Sequence, residues 1–184
     1  MVRVSKGGKN PKMMIVVEGM DNTGKTTLVS QLREQYLFPV LVSSRYYETE
    51  NRTEKWVRWI YKMMELSRDE HIIFDRFPLI SEHVYGPILR GKNVLAEHPA
   101  WPDLLGKFSG LEPLIIYCRP PMEHVLNWRE RPQMGGVKEQ SEKLLKAYDE
   151  AMRFFWPTHY DYTHPLALSN VYHTIDRRIR NGQH

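Results

Sequence analysis

Cysteine is nearly missing from this chain of 184 residues. The one thiol, Cys118, has no partner within the chain, so internal disulfides are excluded and a reducing, cytoplasmic setting is expected. Its place in the apolar run "PLIIYCRP" reads as a buried strand position. Long apolar runs are missing too: none reaches the roughly 20 residues that cross a bilayer, and no signal-peptide pattern appears, so no membrane association is expected. The histidines (His71, His83, His98, His124, His159, His164, His173 and His184) are scattered, and none pairs with the cysteine at ligand spacing, which argues against a structural zinc site. Repeats and low-complexity tracts are absent, which argues against solenoid architectures.

The 41% hydrophobic content can build one core, so residues 1–184 are expected to form a single domain, with residues 1–11 as a flexible basic tail. The net charge of +4 suits phosphate-bearing ligands without choosing between a nucleotide and a polynucleotide. Strand-like and helix-like segments alternate, as in a parallel sheet covered on both faces. "KMMIVVEG" predicts a buried first strand, and "GKTTLVSQLREQYL", with Leu28, Leu32 and Tyr36 at helical spacing, a first helix. "PVLVSS" predicts a second strand, and "EKWVRWIYKMMELS" an amphipathic helix whose Trp56, Ile60, Met63 and Met64 face a core. "HIIFDRF", "PLIIYCRP" and "YDYT" read as the remaining strands. "LISEHVYGPILRG", stopped by Gly91, "PMEHVLNWRER", "KEQSEKLLKAYDEAMRFFW" and "NVYHTIDRRIRN" read as further helices.

The segment Gly19, Met20, Asp21, Asn22, Thr23, Gly24, Lys25, Thr26 fits G-x-x-x-x-G-K-[ST], after a strand and before a helix. Glycines let backbone N–H groups turn inward around phosphate oxygens, and the helix behind them presents its positive end to the same oxygens. Lys25 adds a full charge, the Thr26 hydroxyl can ligate Mg2+, and Thr27 extends the ATP-binding stretch into the helix. Asp21 would repel phosphates unless it faces a hydroxyl of the second substrate, a cation or solvent. Asp75 ends a predicted strand at the sheet edge where ligands bind, so it can hold Mg2+ beside the loop. Arg76, with its planar fork, suits a second phosphate.

"VEGMDNTGKTT" followed by "DRFPLISEHVYG" resembles the thymidylate kinase family and its viral relatives. Glu18, Gly19, Asp21, Gly24, Lys25 and Thr26 match E-G-x-D-x-x-G-K-[ST]; Asp75, Arg76, Phe77, Ser81, Tyr85 and Gly86 match D-R-[YF]-x-x-S-x-x-x-Y-G. The resemblance implies the P-loop kinase three-layer fold, with a five-stranded parallel sheet, helices on both faces and a short lid. It also implies ATP- and Mg2+-dependent phosphoryl transfer to a deoxynucleoside monophosphate, a pyrimidine such as dTMP. Arg76 would then hold the acceptor phosphate, and Phe77 and Tyr85 would stack on the acceptor base. Where such kinases often carry an arginine followed by Pro-Gly-Gly-Thr, this chain has "SSRYYETENR"; Arg45 can take that arginine's part, with Tyr46 or Tyr47 as a stacking surface. "NWRERPQMGGVKEQ" offers Arg129, Arg131 and Lys138 around a Gly-Gly hinge, a lid over about residues 129–139 like those of kinases carried by bacterial viruses. Arg129 and Arg131 would not share a helix face, so one is expected to reach the phosphates. Two other readings stand beside this one: a kinase of a 5-hydroxymethyl pyrimidine nucleoside, free or within DNA, and a nucleotide-binding module without transfer. Relatives are often dimers, so a homodimer is also an expectation.

Overall fold

In the computed structural model the described residues are 12–43, 52–127 and 135–181. Five strands form one parallel sheet in the order β2-β3-β1-β4-β5. They are β1 (Met14–Glu18), β2 (Val40–Val42), β3 (Ile72–Asp75), β4 (Leu114–Cys118) and β5 (Thr158–Tyr160). The helices are α1 (Lys25–Tyr36), α2 (Arg52–Asp69), α3 (Pro78–Arg90), α4 (Trp101–Gly110), α5 (Met122–Leu126), α6 (Ser141–Met152) and α7 (Ala167–Asn181).

β1 is central because it is apolar on both faces: all five of its residues are buried. Alternation along the strands divides the core into two layers. Met14 and Val16 join Ile72, Phe74, Ile115 and Tyr117 on one face, under α2, α3, α4 and α6. Ile15 and Val17 join Ile73, Leu114, Ile116 and Cys118 on the other, under α1 and α7. Trp56, Ile60, Met63 and Met64 all lie in the first layer, as their spacing predicts, and Leu28 and Leu32 in the second.

The register brings the chemistry-bearing ends together. Val17 pairs with Asp75 on one side, and Glu18 with Tyr117 on the other. The carboxyl ends of β3, β1 and β4 therefore lie side by side at the centre of the sheet, where the chain leaves β1 with one neighbour from each half. In an open parallel sheet that is the ligand-binding crevice.

Several boundaries differ from the sequence reading, among them that of α5, which ends at Leu126, and three further along the chain. The helix expected to run through Trp156 ends at Met152. Its last carbonyls tighten into i→i+3 bonds (Arg153 N–H to Glu150, Phe154 N–H to Ala151, Phe155 N–H to Met152), and Pro157 disfavours helical geometry at Trp156, which takes φ 47°. The fifth strand is Thr158–Tyr160 rather than 160–163. Asp161 ends it, accepting hydrogen bonds from the Thr163 N–H (2.9 Å) and hydroxyl (2.7 Å) in a turn that competes with strand extension. The closing helix starts at Ala167, three residues before its expected Asn170.

Candidate active site

The phosphate-loop pattern is a loop in space, and packing explains its glycines. Gly19 follows β1 at φ 142°, and a Cβ there would stand 2.6 Å from the Cys118 carbonyl oxygen, because the end of β4 presses against the turn. Gly24 holds φ 84°, and a Cβ there would meet the Tyr162 ring at 2.8 Å. Any other residue at either position must move a neighbour as well as strain its backbone. The Thr23 hydroxyl donates to the Met20 carbonyl (2.7 Å), closing the loop on itself.

α1 begins at Lys25 with no side chain capping its first turn. Its leading N–H groups therefore point out of the helix with no side-chain acceptor, the arrangement that binds anions. Thr26 and Thr27 are exposed at this end. Lys25 is buried, and its ammonium donates to the Met20 carbonyl (2.5 Å). Burial lowers its pKa to about 8; repulsion from Arg76 adds to this, and Asp21 and Asp75 oppose it. A lysine in that state gains most from an arriving anion, which offsets the desolvation.

A second cluster faces the loop. Arg76 follows β3 with its backbone N–H on the Val17 carbonyl (3.0 Å) and φ 67°, the left-handed region uncommon for a side chain of this size. The turn swings its guanidinium back over the loop, where it pairs with Asp21. The cation that Asp21 needed is therefore Arg76, and no ion pair joins Arg76 to its neighbour Asp75. One terminal nitrogen of Arg76 donates to Tyr148 Oη (2.7 Å) and the other to Tyr85 Oη (3.0 Å), with the guanidinium 4.9 Å from the centre of the Tyr85 ring. Tyr148 in turn donates to Glu18 Oε2 (3.1 Å), while Glu18 Oε1 accepts the Phe77 N–H (2.7 Å). Glu18 is fully buried. Burial raises its pKa to about 7 against the pull of Arg76, the Phe77 N–H, Lys25 and Tyr148. Burial works against the charge on Arg76 as well, yet the surrounding oxygens of Tyr148, Tyr85, Asp21 and Glu18 hold its pKa raised.

Asp75 is half-buried at the end of β3, and its carboxylate has no hydrogen bond or ion pair among the described residues. Thr26 and Asp75 are both oxygen donors, the type that Mg2+ takes alongside waters and phosphate oxygens. The residues present thus fit that ion.

The expected site residues divide into three groups. Asp21, Lys25, Asp75, Arg76 and Tyr85 come together at the crevice. Phe77 does not face Arg76: its ring is fully buried, stacked on Phe108 (centroids 5.0 Å apart) and edged by Phe74. Arg45, Tyr46, Tyr47, Arg129 and Arg131 lie outside the described residues, while Lys138 is exposed in the turn that leads to α6. Two residues were missed, Tyr148 and Tyr162. Tyr148 had a legible signal, since Leu144, Leu145, Tyr148, Ala151 and Met152 share one face of α6 and a buried phenol needs a polar partner. Tyr162 had none, because only the three-dimensional path of the loop after β5 brings it to Gly24.

No family model matches the chain, and no curated protein matches it in sequence. Solved structures share its fold. The YorR protein of Bacillus subtilis, solved in complex with phosphorylated GDP, superposes with a TM-score of 0.63 at 18% identity, over 91% of this chain and 96% of YorR. Deoxyadenosine kinase from M. mycoides, solved with dCMP and a flexible dCDP, gives 0.59 at 15% identity, over 90% and 100%. Thymidylate kinase from Candida albicans gives 0.58 at 11% identity, over 96% of each chain. The chain has the five-stranded parallel α/β fold of these structures.

Proposed function

We propose that this protein is a kinase that transfers a phosphoryl group from ATP, with Mg2+, to a deoxynucleoside monophosphate, with a pyrimidine such as dTMP as the preferred acceptor. The observation that carries the reading is the convergence of two differently built ends at one crevice. An uncapped helix start with a buried lysine faces a braced arginine fork whose counter-ion, Asp21, belongs to the same phosphate loop. A module that only bound nucleotide would need the first end alone.

The chemistry asks for position and charge rather than a covalent intermediate. The N–H groups of residues 19–27 and Lys25 hold the donor phosphates. Thr26 and Asp75 would hold Mg2+, which supplies charge neutralisation between the phosphates. Arg76 holds the acceptor in line, and an anionic acceptor oxygen needs no general base. That fits the state of the acids, since Glu18 is tied to Phe77 and Tyr148 and Asp21 to Arg76. By their places in the sequence, Arg45 is assigned to the acceptor and Arg129 or Arg131 to the transferring group.

The test is steady-state transfer from radiolabelled ATP to a panel of deoxynucleotides, deoxynucleosides and 5-hydroxymethyl pyrimidine DNA. Label is expected on a monophosphate; label found only in polymer would overturn the choice of acceptor. Lys25→Ala should abolish transfer and ATP binding with the fold retained, and a fully active variant would remove the loop from the mechanism. Arg76→Ala should raise KM for the acceptor far more than KM for ATP, whereas equal changes count against its role.

A further inference from the structure

Asn22 lies inside the phosphate loop, yet its side-chain amide is engaged by a distant turn of the chain. It holds φ 64°, which asparagine tolerates better than most residues. Its amide nitrogen lies 3.2 Å from the His124 carbonyl, 2.8 Å from that of Val125 and 3.2 Å from that of Asn127. Three carbonyls can face only the NH2 end of an amide, so the chemistry fixes the side chain's orientation. These oxygens close α5, a helix of five residues whose last acceptors have no intrahelical partner. The loop reaches α5 by a second route: the Tyr162 ring lies against Gly24 and packs edge-on to His124, with centroids 6.1 Å apart. Two positions of the phosphate loop, Asn22 and Gly24, therefore grip one turn that is about 100 residues distant in sequence.

The contact bears on charge as well as shape. The carbonyl end of a helix is negative, and here it abuts a loop built to receive anions. The Asn22 amide places its positive hydrogens between the two. It also ties the backbone path of residues 22–24, whose N–H groups must all converge on one ligand, to the position of α5.

We propose that Asn22 is a positioning residue that couples phosphate binding in the loop to the order of the last turn of α5. Coupling is reciprocal: if a bound triphosphate orders that turn, the ordered turn tightens the hold on triphosphate by the same factor. The inference rests on the reading of the loop as an ATP site.

Hydrogen exchange followed by mass spectrometry on the full chain tests it, with Mg·ATP and separately with inorganic tripolyphosphate as the ligand. In the wild type, either ligand should slow exchange over residues 122–127 and leave residues 78–90 of α3 unchanged. Asn22→Gly keeps the left-handed backbone open but deletes the amide; Asn22→Asp keeps the shape but turns an acceptor toward three carbonyls. Both variants should melt cooperatively, bind ATP about tenfold more weakly by calorimetry, and lose the ligand-induced slowing over 122–127. If the wild type binds ATP with no change at 122–127, or if a variant keeps both the affinity and the slowing, the coupling is refuted while the ATP site stands. A wild type that binds neither ATP nor tripolyphosphate removes the ATP reading and the coupling with it.

Discussion

The Arg76 guanidinium makes three hydrogen bonds among the described residues before any ligand arrives, and the pattern of those bonds predicts what each partner does. Tyr148 is the deepest of them, fully buried with its hydroxyl between the guanidinium and Glu18. Tyr148→Phe keeps the ring, its stack on Tyr117 and its edge contact with Tyr85, but removes the oxygen that receives Arg76. A hydrogen bond to a charged group is worth about 1.5–3 kcal/mol, and here two buried partners lose theirs at once. The variant should raise KM for the acceptor by about tenfold or more, with KM for ATP changed little, and lower the melting temperature by several degrees. Equal effects on both substrates would mean that Tyr148 supports the crevice generally rather than the arginine. Tyr85→Phe removes a weaker, solvent-nearer partner of the same fork and should give a smaller acceptor effect in the same assay.

The elements were legible in proportion to how local their causes are. β1, α1 and the loop between them follow from an apolar run, a glycine pattern and a helical repeat within one stretch of chain. Cys118 as a buried strand residue and Gly91 at a helix end follow from equally short-range rules; Gly91 closes α3 at φ 72°. What escaped depends on contacts far apart in sequence: the Asp21–Arg76 pair, the grip of Asn22 on α5, and Tyr148 reaching Glu18 from α6. Phe77 is the instructive case. Its place in a motif beside Arg76 suggested a base-stacking role, but in the strand-to-helix turn its side chain points the other way from that of Arg76, into the aromatic layer of Phe74, Phe108 and the half-buried Trp59. α4, the short helix expected after the Pro-rich stretch "HPAWP", then has a structural duty. Phe108 caps that layer, so Phe108→Ala should cost about 3–5 kcal/mol in chemical denaturation. Because the layer lies behind Phe77, whose N–H holds Glu18, the variant should also weaken acceptor binding. A loss below about 1 kcal/mol would show that the stack does not hold α4 to the sheet.

For the molecule as a whole, the crevice buries opposite charges before any ligand offsets them, and stability must depend on pH accordingly. Glu18 titrates at about 7 in the folded protein against 4.5 in the unfolded chain. Below pH 4.5 both states are protonated, so its favourable contribution is fully present. As pH rises toward 7 the unfolded chain loses the proton first, and that contribution is lost, on the order of 3 kcal/mol at the upper bound. Lys25 runs the other way, with a folded value of about 8 against 10.5. Its contribution is present above pH 10.5 and is lost as pH falls through 8. Between about 7 and 8 both groups are buried and charged, so the ligand-free protein carries its largest burden of desolvation there. The measurement is denaturant unfolding in metal-free buffer from pH 5 to pH 10, for the wild type and Glu18→Gln. The variant should gain on the wild type steadily between pH 5 and 7 and hold a constant advantage above. A difference that stays flat from pH 5 to 8 would place the Glu18 titration elsewhere. ATP should add most stability in the same trough, because its phosphates neutralise Lys25 where that residue is charged and has no ion pair among the described residues; an ATP-induced rise in melting temperature that is no larger at pH 7.5 than at pH 9.5 would separate the lysine from the nucleotide.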